Sequence, residues 1–387
     1  MSWALLPLTE EQRAIQQTAR EFALAELAPH SERWDREGVL DRAVVGKLGA
    51  LGFLGMLIPE AYDGLGLDTC TYLVALEEIA AVDASVAVLM SVHNSLPTQM
   101  LLRYGNEAQK QRYLRPMARG EWLGAFALSE PDAGSDAASL RAQAVRDGDH
   151  YVLNGVKAWV SGGSHADVIL AMARTDTPND RKGARGISTF IVTPDLPGFA
   201  VGKKEDKMGL RGSETTQLVF DDLRVPAENL LGEEGMGFVY AMQSLDNGRL
   251  GIAAQAVGIA RAALEHAVRY AAERKQFGKP IKEFQAIQFK LADMATKVSA
   301  SRALLHAAAA AKDRGQPITQ FGSMSKLMAS ETAMWVTTQA IQIFGGYGYV
   351  KEYPVERLFR DAKVTEIYEG TSEIQRIVIA RELYARS

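Results

Sequence analysis

The 387-residue chain contains one cysteine, Cys70. One thiol can neither close a disulfide within the chain nor build a thiolate metal site, which fits a reducing compartment. Read by itself, Cys70 is a small apolar filler. The six histidines (His30, His93, His150, His165, His266 and His306) supply no H-x-x-x-H pair, so no metal signature is present. No run of about 20 apolar residues occurs, which argues against insertion in a membrane. Charge is also nearly balanced: 43 Lys+Arg against 47 Asp+Glu give a net −4, with no basic stripe for nucleic acid or an anionic surface. The opening eight residues are apolar but lack the basic start of a signal peptide. Together these absences predict a cytoplasmic protein that uses neither metal nor nucleic acid.

What is present is a sizeable core. Hydrophobic residues make up 47% and charged residues 23%, and the length suits two or three domains at roughly 150 residues each. From Thr9 to about Gly120 the period is helical: Ile15, Ala19, Phe22 and Leu27 recur three to five apart, as do Leu73, Leu76, Ile79 and Ala80. Thr9-Glu10-Glu11-Gln12 reads as a capping box. From about Glu121 to Pro226 the period shortens. Residues 168–172, 187–192 and 217–220 read as strands, and 151–153 with 156–160 as the arms of a hairpin turning at Asn154-Gly155. Pro178, Pro194, Pro197 and Pro226 mark the gaps. Beyond Gly235 the helical period returns. Ile287, Leu291, Met294, Val298 and Leu305 form a buried stripe, and stretches near 238–273, 319–343 and 372–384 raise the count to four long helices. The predicted fold is α+β multidomain: an N-terminal helical domain (1–120), a middle β-barrel-like domain (121–232) and a C-terminal four-helix bundle (233–387).

Four segments carry chemistry-bearing residues, each with a plain reading beside a functional one. Residues 126–136, Phe-Ala-Leu-Ser-Glu-Pro-Asp-Ala-Gly-Ser-Asp, are a capped turn or a loop presenting backbone N–H groups. Trp159-Val160-Ser161-Gly162-Gly163 is a core tryptophan with a turn, or a flat surface for a ring. In Gln342-Ile343-Phe344-Gly345-Gly346-Tyr347-Gly348-Tyr349 a helix C-cap explains one glycine but not three in four positions. In Ile367-Tyr368-Glu369-Gly370-Thr371-Ser372-Glu373-Ile374-Gln375, Ser372 and Gln375 form a capping box for the last helix. Glu369 stands just before it, a surface glutamate or, in an apolar setting, a base of raised pKa.

In this order across an α–β–α chain, the four segments resemble the acyl-CoA dehydrogenase family. The resemblance covers essentially the whole chain. Residues 127–139 look like its first signature, and 342–361, with Gly345, Gly346, Gly348, Glu352, Arg357 and Asp361, like its second. Phe-Ala-Leu-Ser-Glu-Pro, Leu-Arg-Gly-Ser (210–213) and Tyr-Glu-Gly-Thr-Ser-Glu-Ile-Gln resemble short-chain, butyryl-type members most closely.

The resemblance implies α,β-dehydrogenation of a short, possibly branched acyl-CoA. Glu369 takes the α-proton, N5 of FAD takes the β-hydride, and the Glu369 N–H with a flavin ribityl hydroxyl polarises the thioester oxygen. For FAD it implies contacts from Phe126, Leu128, Ser129, Gly134 and Ser135, from Trp159 and Ser161, and from Thr371, Ser372 and Glu373. Ser161 departs from the family's usual threonine but keeps the hydroxyl. Arg274, Phe277, Gln285, Gln342, Ile343, Gly345 and Gly346 would serve a neighbouring subunit's FAD, which implies a homotetramer. Ser135, Asp246, Arg249, Tyr368 and Gly370 match substrate contacts; read plainly, Asp246 and Arg249 are an i, i+3 ion pair. Some branched-chain and long-chain members carry their base just before this arginine, where this chain has Gly248.

Electrons would pass to an electron-transfer flavoprotein. The alternatives are an oxidase-like flavoenzyme using oxygen and a non-catalytic binding protein of the same fold. Nitroalkane oxidation is disfavoured because that branch uses aspartate as base. A decarboxylating, glutaryl-type activity ranks low, because the wall region 85–100 holds no Arg or Lys, although Arg103 follows. Pocket depth depends on how residues 86–101 pack over the flavin.

Overall fold

The computed structural model describes residues 7–177 and 182–385. The expectations placed on Pro178 and on most of the opening eight residues lie outside the described residues. Helix α1 (Glu10–Phe22) starts with the predicted capping box: Gln12 N–H donates to Thr9 Oγ1 and Thr9 N–H to Gln12 Oε1, both at 3.1 Å. A π-helical turn (Ala23–Leu27) leads into α2 (Ala28–Glu37), followed by α3 (Ala43–Ala50), α4 (Thr69–Val82), α5 (Ala84–Ser95), α6 (Pro97–Tyr104) and the short α7 (Glu107–Gln109) and α8 (Arg115–Ala118). Asp83 separates α4 from α5 because its carboxylate caps the second helix, accepting from Val86 N–H at 2.9 Å.

Seven strands form the curled middle sheet: β1 (Gly124–Ala127), β2 (Gln143–Asp147), β3 (His150–Ser161), β4 (Val168–Arg174), β5 (Ile187–Val192), β6 (Phe199–Lys204) and β7 (Thr215–Pro226). Their order is β1-β4-β2-β3-β7-β6, with β5 paired to β4. The hairpin expected at Asn154-Gly155 is not there. β3 runs through that dipeptide unbroken, and the turn lies earlier, at Gly148-Asp149 between β2 and β3, with Gly148 at φ 62°. Asn154-Gly155 instead forms an irregularity against β7, where the register slips. The Asn154 amide exchanges hydrogen bonds with Asp222 (2.9 and 2.8 Å), and Gly155, at φ 146°, lies on Ala142. The glycine's freedom and the amide's two-sided bonding suit a bulge as well as a turn.

Helices α9 (Gly237–Glu273), α10 (Gln285–Asp313), α11 (Thr319–Phe344) and α13 (Ser372–Tyr384) are the four long ones expected. The two-residue strands β8 (Lys275–Gln276) and β9 (Lys279–Pro280) and a shorter helix α12 (Val355–Lys363) lie between them. Among the described residues no helix is long and apolar enough to cross a membrane. One hydrophobic cluster joins the two helical zones, running from Ala19, Leu73 and Val86 to Ile259, Val298 and Val336. Cys70 packs half-buried on its edge, and burial pushes its thiol up to about 12, so it stays a protonated filler.

Charges lock the same junction. Glu77 of α4, fully buried, accepts from Arg302 Nε at 2.7 Å and lies 2.9 Å from His306 Nε2, both on α10. Its neighbour Glu78 accepts from Arg261 (2.8 Å) and Arg20 (3.0 Å). Burial alone would push Glu77 up, but Arg302 and His306 outweigh it and hold the carboxyl below its ordinary value. Glu77→Leu leaves the Arg302 guanidinium buried without its partner. It is expected to lower unfolding free energy in denaturant titration by about 3–5 kcal/mol; a loss under 1 kcal/mol would show the network to be dispensable.

Candidate active site

Glu369 lies in the turn that leads into α13. The helix is capped by Thr371, whose Oγ1 accepts from Ile374 N–H at 3.3 Å. The Ser372–Gln375 box expected there does not form, because the Gln375 amide is used elsewhere. It donates to the carbonyls of Glu369 (3.2 Å) and Gly370 (2.9 Å), and the Ser372 hydroxyl is left buried and unpaired. Lys326 Nζ, from α11, also donates to the Gly370 carbonyl at 2.8 Å. These bonds hold Glu369 at φ 51° and Gly370 at φ 90°. A non-glycine residue in this region costs about 1–3 kcal/mol and persists where its surroundings over-determine it.

The residue is partly accessible as a whole, yet both carboxylate oxygens are screened from solvent and have no hydrogen-bond partner. Burial pushes the Glu369 carboxyl up to about 7, against the opposing pull of Lys326 and then Arg249. Helix α9 forms the facing wall. A Cβ built on Gly248 would fall on Glu369 Oε2, so glycine is what lets the carboxylate occupy this position. Arg249 Nη1 donates to Asp246 at 2.5 Å and to Ser323 at 3.2 Å, leaving its Nε unpaired. The i, i+3 ion pair is therefore formed, and Thr319 Oγ1 binds the other Asp246 oxygen at 2.8 Å. The Tyr368 hydroxyl donates to Gln255 Oε1, and Gln255 Nε2 to the Ala84 carbonyl at 2.7 Å. Tyr72 and Ser91 add two buried hydroxyls, with Ser91 Oγ against Gly251 of α9.

The middle sheet contributes a second group. Lys157, fully buried, donates to Glu130 Oε1 (2.7 Å) and to the Leu128 carbonyl (3.2 Å). Glu130 also receives the N–H groups of Arg141 (2.6 Å) and Ala142 (2.9 Å), and Ala158 N–H donates to Ser129 O at 2.9 Å. The segment from Phe126 to Ser135 is thereby fixed beside the end of β3: Phe126 and Ser129 are half-buried, Leu128 is buried, and Gly134 and Ser135 are exposed. There Trp159 stands at φ 62° with 62% of its surface exposed. Ser161 and Gly162 border an apolar cavity that reaches Leu89 and Val92 of α5 and Leu123. A large exposed aromatic held in a disfavoured backbone conformation, next to open glycine backbone and hydroxyls, fits a flat heteroaromatic ring with a polar edge.

A third group is separate. Arg274, Ile343, Gly345 and Gly346 line a cleft of about 850 Å³ with Tyr270 and Tyr347, and the Arg274 guanidinium lies 5.4 Å from the Tyr347 ring centre. A Cβ on Gly345 or Gly346 would meet nothing within 4 Å, so their backbone faces open space. Gly348, by contrast, is pressed on Ile341. Phe277, at φ 51° and 92% exposed, and the exposed Gln285 and Gln342 stand outside the lining of this cleft. Glu373 is exposed at the start of α13.

The structure thus brings Tyr368, Glu369 and Gly370, in the turn before α13, together with Asp246 and Arg249 of α9 and keeps the 274 and 342–346 residues apart. Sequence reasoning missed Lys326, Gln255, Gln375, Tyr72 and Ser91. Lys326 had a readable signal: it shares a buried stripe with Ala329, Ala333, Val336 and Ala340, and a lysine on an apolar helix face needs a reason.

Three family models account for nearly the whole chain: the acyl-CoA dehydrogenase N-terminal domain (residues 9–121), middle domain (125–223) and C-terminal domain (235–384). The chain belongs to the acyl-CoA dehydrogenase family. It is 50% identical over 376 residues to the mitochondrial short-chain specific acyl-CoA dehydrogenase of Mus musculus, covering 97% of this chain and 90% of that one. It is also similar to the solved butyryl-CoA dehydrogenase of Megasphaera elsdenii (TM-score 0.96, 46% identity, 98% of this chain and 100% of that one). A chain in the structure described as the electron transferring flavoprotein of Acidaminococcus fermentans matches as well (TM-score 0.96, 48% identity, 98% and 99% covered).

Within this family fold the buried carboxylate has a thermodynamic signature. The folded value of Glu369, about 7, lies above its unfolded value near 4.5. The folded state therefore favours the protonated form, and its cost rises as pH climbs from about 4.5 to 7, reaching at most about 3 kcal/mol. Glu369→Gln is expected to raise the melting temperature at pH 8 and to leave it unchanged near pH 4. Equal melting curves at pH 8 would mean that the carboxylate is not desolvated.

Proposed function

We propose that the protein is an FAD-dependent dehydrogenase of short acyl-CoA thioesters in which Glu369 removes the α-proton. The observation that carries this reading is a carboxylate with both oxygens desolvated and unpaired, held in a left-handed turn against the bare backbone of Gly248. Such a group is a strong base above its pKa and has no competing partner to leave before reacting. FAD, held by Phe126, Leu128, Ser129, Gly134, Ser135, Trp159, Ser161 and the start of α13 at Thr371, Ser372 and Glu373, would supply the two-electron acceptor for the β-hydrogen. The chain's own part is to place and polarise the thioester. The Glu369 backbone N–H, fixed by the turn, is the donor to the thioester oxygen as enolate charge develops. Gly370 and Tyr368 border that position, while Ser135, Asp246 and Arg249 contact the rest of the acyl-CoA.

A short acyl group is supported by the close approach of α5 and α9 at Ser91 and Gly251 and by the Tyr368–Gln255 bond, which wall the space behind Glu369. The likeness to short-chain and butyryl-CoA dehydrogenases supports it too. Branched short chains belong to the same reading. The likeness to the Acidaminococcus chain supports an electron-transfer flavoprotein as acceptor. The open cleft at Arg274, Gly345 and Gly346 supports a homotetramer in which those residues, with Phe277, Gln285, Gln342 and Ile343, hold a neighbour's FAD.

Anaerobic titration with butyryl-CoA, isobutyryl-CoA and octanoyl-CoA tests the reading. Butyryl-CoA is expected to bleach the flavin band fastest, and Glu369→Gln to slow bleaching at least about a thousandfold. Bleaching that survives in Glu369→Gln would assign the base elsewhere, and a loaded flavin unmoved by all three would overturn the substrate class. Gly248→Ala is expected to retain FAD but to reduce bleaching by about 100-fold, since its methyl displaces the carboxylate from reacting distance. Wild-type rates in that variant would show that the carboxylate's position is not critical.

A further inference from the structure

We infer that Lys326 is a positioning residue for proton abstraction: its buried ammonium pins the Glu369–Gly370 turn and supplies the positive charge that eases formation of the carboxylate in a dry site. The inference rests on the reading of Glu369 as the base.

Lys326 has no exposed surface, and its hydrogen bond goes to the Gly370 carbonyl. An ammonium carries three N–H donors, and among the described residues no carboxylate lies within 4.0 Å of it. A buried ammonium and a buried carboxylate, each without an ionic partner, are both costly; with the ammonium bonded to the carbonyl of the residue after Glu369, their costs offset. The other charged and titratable groups around the turn leave Lys326 the larger part of this role, with Arg249 second. On α9, Arg249 is already committed to Asp246 and Ser323. On α4, Tyr72 is a neutral phenol that burial pushes up, and Tyr368, beside Glu369, is likewise pushed up by burial. Glu366 and Glu373 bear on Lys326 more weakly than Glu369 does, and Arg381 bears on Arg249. The coupling is reciprocal. Lys326 is the foremost group drawing the Glu369 carboxyl down, and Glu369 the foremost group holding Lys326 up against the burial that lowers it to about 8.

The turn and the charge separate by substitution. Lys326→Gln keeps a donor for the Gly370 carbonyl and removes the charge, whereas Lys326→Arg keeps both. In the FAD-loaded enzyme, the acid-limb midpoint of butyryl-CoA bleaching is expected to rise by about one pH unit or more in Lys326→Gln and to return toward wild type in Lys326→Arg. A purely structural role would slow bleaching without moving the midpoint. A second readout does not use turnover: the pH at which the stabilisation by Glu369→Gln levels off, read from melting curves in the wild-type and Lys326→Gln backgrounds. It should move up in parallel. Should Lys326→Gln not accumulate, Lys326→Met carries the same charge test. Wild-type midpoints in both measurements would overturn the inference. Bleaching that persists in Glu369→Gln would overturn the base assignment, while the melting curves would still report whether Lys326 sets the ionisation of Glu369.

Discussion

The molecule depends on how closely other segments can approach one face of α9. Gly248, Gly251, Gln255 and Gly258 recur at the three- and four-residue spacing of a single helical stripe. Each meets a different element: Gly248 the Glu369 carboxylate, Gly251 the Ser91 hydroxyl, Gln255 the Tyr368 hydroxyl and Ala84 carbonyl, and Gly258 the backbone at Glu77 with the Ala80 methyl. The missing side chains put the base, the α5 wall and the α4 ion network on one helix without a layer of methyl groups between them. Elsewhere on α9 alanines and β-branched residues fill the core in the ordinary way. The stripe therefore sets the dimensions of the site, and the turn at Glu369 is built to meet it.

Strain marks the same places. Three of the six non-glycine residues with left-handed backbone among the described residues are Trp159, Phe277 and Glu369, each an expected contact and each at a different candidate contact region. Left-handed backbone at an aromatic or a glutamate is rare unless neighbouring bonds enforce it. For Glu369 the enforcing groups are Gln375 and Lys326. Residues elsewhere in the fold stabilise these conformations, so the motif residues alone could not reproduce them.

Much of this was legible beforehand, for physical reasons. The α–β–α succession follows from period alone, and the Thr9 cap from local chemistry; both appear as expected. The failures share a cause. Asn154-Gly155 and Ser372–Gln375 each satisfied a local rule, but tertiary partners took over the groups involved. Asp222 and Ala142 made the dipeptide a bulge, and the carbonyls of Glu369 and Gly370 took the Gln375 amide. The surroundings of Glu369 were illegible because Lys326, Gln255 and Tyr72 come from three other helices, and nothing in their local sequence states which group each will meet.

The bond between Glu77 and Arg302 spans 225 positions. During synthesis at about 5–20 residues per second, α4 emerges roughly 10–45 s before the helix that neutralises Glu77. Through that interval Glu77, destined for the interior, lacks its Arg302 partner. The junction that secures the finished molecule thus stays incomplete until most of the chain has been made.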